Sequence, residues 1–252
     1  MTTDVFEQAV TILSRAKRGT CLTGAGISID SGIPPFRGQG GLWEKLDPMK
    51  YASIQAFRRD PEAVWNVLMK DMKAVLTKAR PNAGHTALVE LEKMGILTTV
   101  ITQNIDSLHQ LAGNQDVIEF HGTFFWQRCE SCDGRIETTK VDLAEIPPRC
   151  RCGGLLRPDC VFFGEMIPEE ALARSGEMAA TCDVMLVVGT SATVQPASLM
   201  PVIARENGAA VIEINTEPTP LTSSIATLSL MGRSSVILSD LVAAVHQKRD
   251  TP

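Results

Sequence analysis

Short apolar runs separated by amphipathic stretches set the fold class of this chain. Residues 20–23, 96–102, 184–188 and 210–214 are rich in Val, Ile, Leu and Thr and too short for helices. Helical patterns follow two of them, at 107–112 and 197–206. A rhythm of strand, crossover helix and strand predicts a parallel sheet covered on both faces, an α/β fold of the Rossmann-like kind. A chain of 252 residues suits one large domain with insertions. Two stretches break the rhythm. Residues 42–80 carry Trp43, Phe57, Trp65, Leu68 and Met72, with turn signals at Asp47-Pro48 and Asp60-Pro61, and read as a helical insertion. Residues 126–157 are poor in aliphatic side chains and hold a cysteine cluster, so a small metal-stapled lobe is expected there. The large domain then comprises 1–41, 81–125 and 158–252.

At the N-terminus, Phe6, Ala9, Val10, Leu13 and Ala16 recur at helical spacing, with Asp4 expected as the cap. This is an amphipathic helix and not a signal peptide. No apolar run approaches the roughly 18 residues of a membrane span. A net charge of −5 offers no general basic field to nucleic acid. A cytoplasmic monomer with neither membrane nor nucleic-acid partner is expected.

Residues 24–38 read GAGISIDSGIPPFRG, with glycines at 24, 26, 32 and 38 and a Pro34-Pro35 pair. That composition favours a shaped loop over a regular helix or strand. Gly24-Ala25-Gly26 directly follows a strand, and in open α/β sheets such a turn presents its amides to a dinucleotide phosphate. A GxG alone fits a ligand-free tight turn equally well. Other strand ends are also small or polar: Thr102-Gln103-Asn104, Gly189-Thr190-Ser191 and Asn215. Together with Thr23-Gly24 they predict one shared cleft beyond the carboxyl edge of the sheet.

Seven cysteines without an export signal point to metal or thiol chemistry rather than a disulfide framework. Cys129 and Cys132 form a C-x2-C knuckle; 17 residues then separate Cys132 from Cys150, and Cys150 and Cys152 form a tighter C-x-C pair. Gly153-Gly154 supplies the flexible backbone that the tighter pair needs, and Cys160 is the nearest substitute ligand. Four thiolates close a tetrahedral zinc site, so the metal is expected to be structural and not catalytic. Cys21 and Cys182 read as core residues. Among the histidines, His121 follows a predicted strand and precedes Gly122, a setting suited to a proton acceptor near neutral pH. His85 and His109 fall on predicted helices as packing or capping residues, and His246 belongs to the C-terminal helix.

The 24–38 loop, TQNIDSLHQLAG at 102–113, FHG at 120–122, the two cysteine pairs and FGE at 163–165 occur in one order. In these motifs, across nearly its whole length, the chain resembles the sirtuins, the NAD-dependent protein deacylases. The resemblance implies NAD as co-substrate and one structural zinc. It places Ala25, Gly26, Arg37, Gly189, Ser191 and Asn215 on the pyrophosphate and adenosine half of NAD, with Gly24, Gln103, Thr190 and Thr216 beside them. Ile33, Phe36, Asn104, Ile105 and Asp106 match the nicotinamide pocket, and His121 with Asn104 the catalytic pair. Val161, Phe163, Gly164 and Glu165 match the segment that holds the acylated lysine.

The implied reaction begins when the acyl oxygen of a modified lysine attacks C1′ of the nicotinamide ribose and expels nicotinamide. An alkylimidate forms, His121 acts as base toward the ribose hydroxyls, and water completes release of lysine and O-acyl-ADP-ribose. Members acting on succinyl or malonyl groups carry a Tyr-x-x-Arg pair, whose positions here hold Leu68 and Asp71. An acyl carboxylate would lack a donor there, so acetyl and longer neutral acyl groups are expected. Protein mono-ADP-ribosylation, or non-catalytic reading of NAD and acyl-lysine, stay open as alternatives.

Overall fold

The computed structural model describes residues 3–36 and 41–250, apart from the side chains of Thr3, Lys70 and Asp71. Arg37 and the Asp71 side chain therefore lie outside the described residues. Six strands, β1 (Gly19–Thr23), β2 (Leu97–Thr102), β3 (Val117–Glu119), β7 (Val184–Val188), β8 (Ala210–Asn215) and β9 (Leu228–Met231), form one sheet. Its order is β3-β2-β1-β7-β8-β9, and every pairing is parallel. Three more strands, β4 (Gly122–Cys129), β5 (Arg135–Glu137) and β6 (Leu156–Cys160), make a separate antiparallel sheet in the order β5-β4-β6.

Alternation along the strands explains why the large sheet is apolar on both faces. Cys21, Val100, Leu186 and Ile212 pack to one side, against the helices Thr3–Arg15, Ala83–Lys93 and Ser234–Asp250. Leu22, Ile101, Met185, Val187 and Val211 pack to the other, where Ala179 of helix Glu169–Thr181 and Met200 and Ala204 of helix Met200–Glu206 meet them. Burial on both faces is why β7 is a continuous apolar run with no polar alternation.

Local departures from expectation have local causes. Residues Ala25–Ser31 wind into a 3-10 helix within the expected shaped loop, because Ile27 and Ser28 turn inward and are buried. Asp4 lies inside the first turn of Thr3–Arg15 and not at its cap, a position where an acid still faces the positive end of the helix dipole. The expected 197–206 helix begins as a 3-10 turn, Ala197–Leu199, before Met200–Glu206.

Between 42 and 76 the chain forms short helices. The Asp47-Pro48 and Asp60-Pro61 signals are N-caps: Asp47 accepts from the Met49 amide and Asp60 from the Ala63 amide, each with proline in the first turn. Phe57, Trp65, Leu68 and Met69 from these helices share a core with Phe124 and Phe162. The antiparallel sheet runs from Gly122 to Cys160, so it takes in residues on both sides of 126–157. No helix among the described residues is long and apolar enough to cross a membrane.

Candidate active site and metal centre

Sheet order brings the four polar strand ends together. The chain runs outward from β1 through β2 to β3, then crosses back to β7 and runs the other way through β8 to β9, so the direction of winding switches between β1 and β7. Loops leaving adjacent strands in opposite directions open a crevice at that point. Gln103, at the end of β2, donates from its backbone to Thr23 O (2.9 Å) and from Nε2 across β1 to Thr190 Oγ1 (2.9 Å). Asn215, at the end of β8, donates from Nδ2 to Thr190 O (2.9 Å) and accepts at Oδ1 from the Thr216 amide. Ser191 Oγ lies 3.0 Å from Thr193 Oγ1 on the exposed side of this edge.

The floor of the crevice is backbone. Gly24 N donates to Val188 O (3.0 Å) and Gly26 N to Gly189 O (2.8 Å). Gly189 holds φ of 59°, and a Cβ there would come within 2.5 Å of Ile27 N and 2.7 Å of the Gly26 carbonyl carbon. Only glycine permits this approach.

A cavity of about 230 Å³ opens beside the floor, and its wall includes six of the expected cofactor residues: Ala25, Ile33, Phe36, Asn104, Ile105 and Asp106. Leu42, Leu46, Leu68, Met72 and Leu76 from the 42–76 helices complete an almost wholly apolar lining. Ser28 ties its polar end together. Ser28 Oγ donates to Asp106 Oδ2 (2.7 Å) and accepts from Asn104 Nδ2 (3.2 Å), which also donates to Gly24 O (3.1 Å). Both amide hydrogens of Asn104 are thereby committed, and its Oδ1 is the atom it can offer a ligand. Burial pushes the Asp106 carboxyl above its ordinary value, against hydrogen bonds from the Leu108 amide and Ser28. Ser28 escaped the sequence reading as a site residue, although it stands in the GAGIS run.

His121 lies in the tight connection between β3 and β4, outside the wall of that cavity. Its Nδ1 is 3.0 Å from Gln103 O, an atom that can only accept. Nδ1 therefore carries the proton, and the Nε2 lone pair is the free one. Burial lowers the His121 pKa, partly offset by that hydrogen bond, so the ring is neutral at pH 7. On its other side His121 O accepts from Val161 N (2.8 Å), which seats the start of the 161–165 segment against it. Phe163 exchanges backbone hydrogen bonds with the 42–76 region, its amide donating to Ala52 O and its carbonyl accepting from Ile54 N. Its ring meets Trp43 edge-on (6.3 Å), and Trp43 stacks on Phe36 (5.5 Å). Phe162 is buried against Phe57, Gly164 is exposed, and Glu165 is half-buried.

Cys129, Cys132, Cys150 and Cys152 bring their Sγ atoms within 4.8 Å of one another. Cys152 lies 3.5 Å from Cys129 and 3.4 Å from Cys132, and Cys132 lies 3.9 Å from Cys150. Four sulfurs about 2.3 Å from one zinc stand about 3.8 Å apart, so this donor set fits a closed structural site. The C-x-C pair is accommodated by a turn in which Cys150 N donates to Gly154 O (2.8 Å). Gly154 is required there, since a Cβ would fall 2.6 Å from Cys129 Sγ. Cys160 stands outside the cluster, and burial raises its thiol pKa to about 12. Cys21 and Cys182 are buried core residues.

Comparison with known proteins agrees with this architecture. The model of the Sir2 family matches residues 24–196. The chain is 47% identical over 241 residues to NAD-dependent protein deacylase 2 of Pyrobaculum aerophilum, covering 95% of this chain and 96% of that protein. It is 46% identical over 242 residues to the NAD-dependent protein deacylase of Pyrococcus furiosus, covering 94% and 96%. Among solved structures, a Sir2 homologue–NAD complex superposes with a TM-score of 0.90 at 42% identity, covering 97% of this chain and 95% of the other. A Sir2-family protein bound to a myristoylated histone peptide superposes at 0.80 with 34% identity, covering 99% of each. With most of its length matched at such identity, and with the strand-end crevice and four-cysteine cluster in place, the chain belongs to the Sir2 family.

Proposed function

We propose that this protein is an NAD-dependent protein-lysine deacylase that removes acetyl and longer neutral acyl groups, forming nicotinamide, O-acyl-ADP-ribose and free lysine. One observation carries the reading: His121 is held between the cofactor edge, through Gln103 O, and the 161–165 segment, through Val161 N. A base with its lone pair free stands where a dinucleotide at the strand ends and an acylated lysine beside 161–165 would meet.

NAD supplies an electrophilic ribose carbon once its nicotinamide departs. The protein's own residues do the rest. The Ala25 amide and the Gly189–Ser191 turn receive the phosphates, with Arg37 and Asn215–Thr216 on the adenosine side. Asn104 offers Oδ1, Asp106 accepts from a carboxamide, and Ile33, Phe36 and Ile105 exclude water from the reacting carbon. His121 Nε2 takes a ribose hydroxyl proton. Val161, Phe163, Gly164 and Glu165 form the lip that receives the peptide, by strand addition that reads main chain more than sequence. The four cysteines hold a structural zinc that takes no part in the chemistry.

The apolar cavity supports neutral acyl chains. Leu68 is in its wall and, among the described residues, Asp106 is the one ionisable side chain lining it, so a succinyl carboxylate would be desolvated beside a like charge. A cytoplasmic, monomeric enzyme is the accompanying reading.

Nicotinamide release with acetyl-, myristoyl- and succinyl-lysine peptides tests this function. Turnover of the first two is expected, with His121→Ala losing turnover while keeping its fold and NAD binding. Unchanged turnover in His121→Ala would reject the assigned base, and ADP-ribosylated protein in place of deacylated peptide would establish the transferase reading instead.

A further inference from the structure

Arg157, in β6, has a side chain only 1% exposed, an unusual depth for a guanidinium. Its Nε donates to Glu130 Oε1 at 2.6 Å. From the opposite edge, Nη2 and Nη1 donate to Glu165 Oε1 and Oε2 at 2.6 and 3.1 Å, and Nη1 also donates to Cys160 O at 3.1 Å. The Phe162 ring covers the cation, with Cζ 4.9 Å from its centroid. Glu165 Oε2 in turn accepts from the Phe162 amide at 2.9 Å.

One buried cation thus joins carboxylates from two different parts of the molecule. Glu130 lies inside the Cys129–Cys132 knuckle, and Glu165 closes the 161–165 lip. A planar fork bonded along both edges cannot turn without breaking one set of bonds, and a buried guanidinium has no water to replace them. The place of Glu165, and through it the Phe162 amide and the lip backbone, is therefore set from Glu130.

We propose that Arg157 is a positioning residue for the acylated peptide, transmitting the setting of the Cys129–Cys132 knuckle to the 161–165 lip through the Glu130–Arg157–Glu165 triad. This rests on the reading of 161–165 as the substrate lip. It goes further in making Glu130, a knuckle residue, a determinant of peptide affinity. Coupling of this kind is reciprocal, so bound peptide should also steady the knuckle against loss of its metal.

The test uses the zinc-loaded protein and compares the parent with Glu130→Ala and Arg157→Lys. Binding of a fluorescent acetyl-lysine peptide is followed by anisotropy, steady-state constants are measured for peptide and NAD separately, and zinc loss to a chelator is timed with and without peptide. Glu130→Ala is expected to keep its zinc and the parent's KM for NAD, to bind peptide about fivefold or more weakly, and to lose the protection that peptide gives the parent. Arg157→Lys, with the charge but not the two-edged fork, should fall between.

Parental peptide affinity in Glu130→Ala would overturn the proposal. Equal losses toward peptide and NAD would also overturn it, since they indicate general loosening. A parent that neither binds acylated peptide nor releases nicotinamide would overturn the functional reading itself. An active parent with an unaffected Glu130→Ala would overturn the role of the triad alone.

Discussion

His121 and Ser28 show what single residues can and cannot disclose. A histidine beside glycine at a strand end is visible in the letters, but its tautomer follows from a carbonyl 18 positions away, Gln103 O. Because burial lowers its pKa, the working neutral form persists below the ordinary histidine midpoint. Activity should fall as pH drops through a midpoint under 6.5, and a pH profile of kcat/KM will show whether the acidic limb lies there. Ser28 joins Asn104 to Asp106 through one hydroxyl, and Ser28→Ala leaves the Asn104 amide held by Gly24 O alone. A loss of about tenfold in kcat is expected, the equivalent of about 1.4 kcal/mol, with peptide KM unchanged in steady-state kinetics.

Elements behind the site hold it in place. The Ala25–Ser31 helix is pinned by Asn82, which donates to Ile27 O (2.8 Å) and Ser31 Oγ (2.9 Å) while capping helix Ala83–Lys93 at the Gly84 amide. Asp30, on the same turn, accepts from Ser235 and Arg233 at the start of the C-terminal helix, and these bonds hold its carboxyl below the usual range. Asn82→Ala removes a cap and two tethers together. Thermal melts should show a loss of about 1–2 kcal/mol, and NAD should bind more weakly in titration.

His85 and His109 pack ring to ring at 4.9 Å beneath the same region. Burial lowers their pKa values to about 4 and about 3. An unfolded chain would protonate both near 6.5, so it binds more protons than the folded one between that pH and the folded values. Their neutral state costs nothing above about 6.5, and stability declines as pH falls from there toward 4. Urea unfolding at pH 8 and pH 5 should show that decline, and it should be smaller in His109→Gln.

At the scale of the whole molecule, two sheets divide the work. The parallel sheet owes its stability to apolar burial on both faces, whereas the antiparallel one has a small core of Cys129, Val141 and Leu156 of its own. A sheet with so little to bury depends on its metal. Stripping zinc should release protection from hydrogen exchange across β4–β6 while β1, β2, β7 and β8 stay protected. Uniform loss across both sheets would show that they unfold as one unit.

What the sequence determined by itself was whatever depends on local spacing: the strand rhythm, the cysteine pairs, the turn signals at Asp47-Pro48 and Asp60-Pro61, and the ordered motifs that mark the family. Ala25–Ser31 is a 3-10 helix where composition suggests a shaped loop, because its glycines report only conformational freedom while the inward turn of Ile27 and Ser28 depends on the sheet beneath them. Tertiary structure alone decided that Gln103 reaches Thr190 across β1, that Ser28 stands between Asn104 and Asp106, and that Arg157 joins Glu130 to Glu165. Each of these contacts spans a separation along the chain that no periodicity encodes, and each exists because strand order brings the groups together where burial requires polar atoms to be paired.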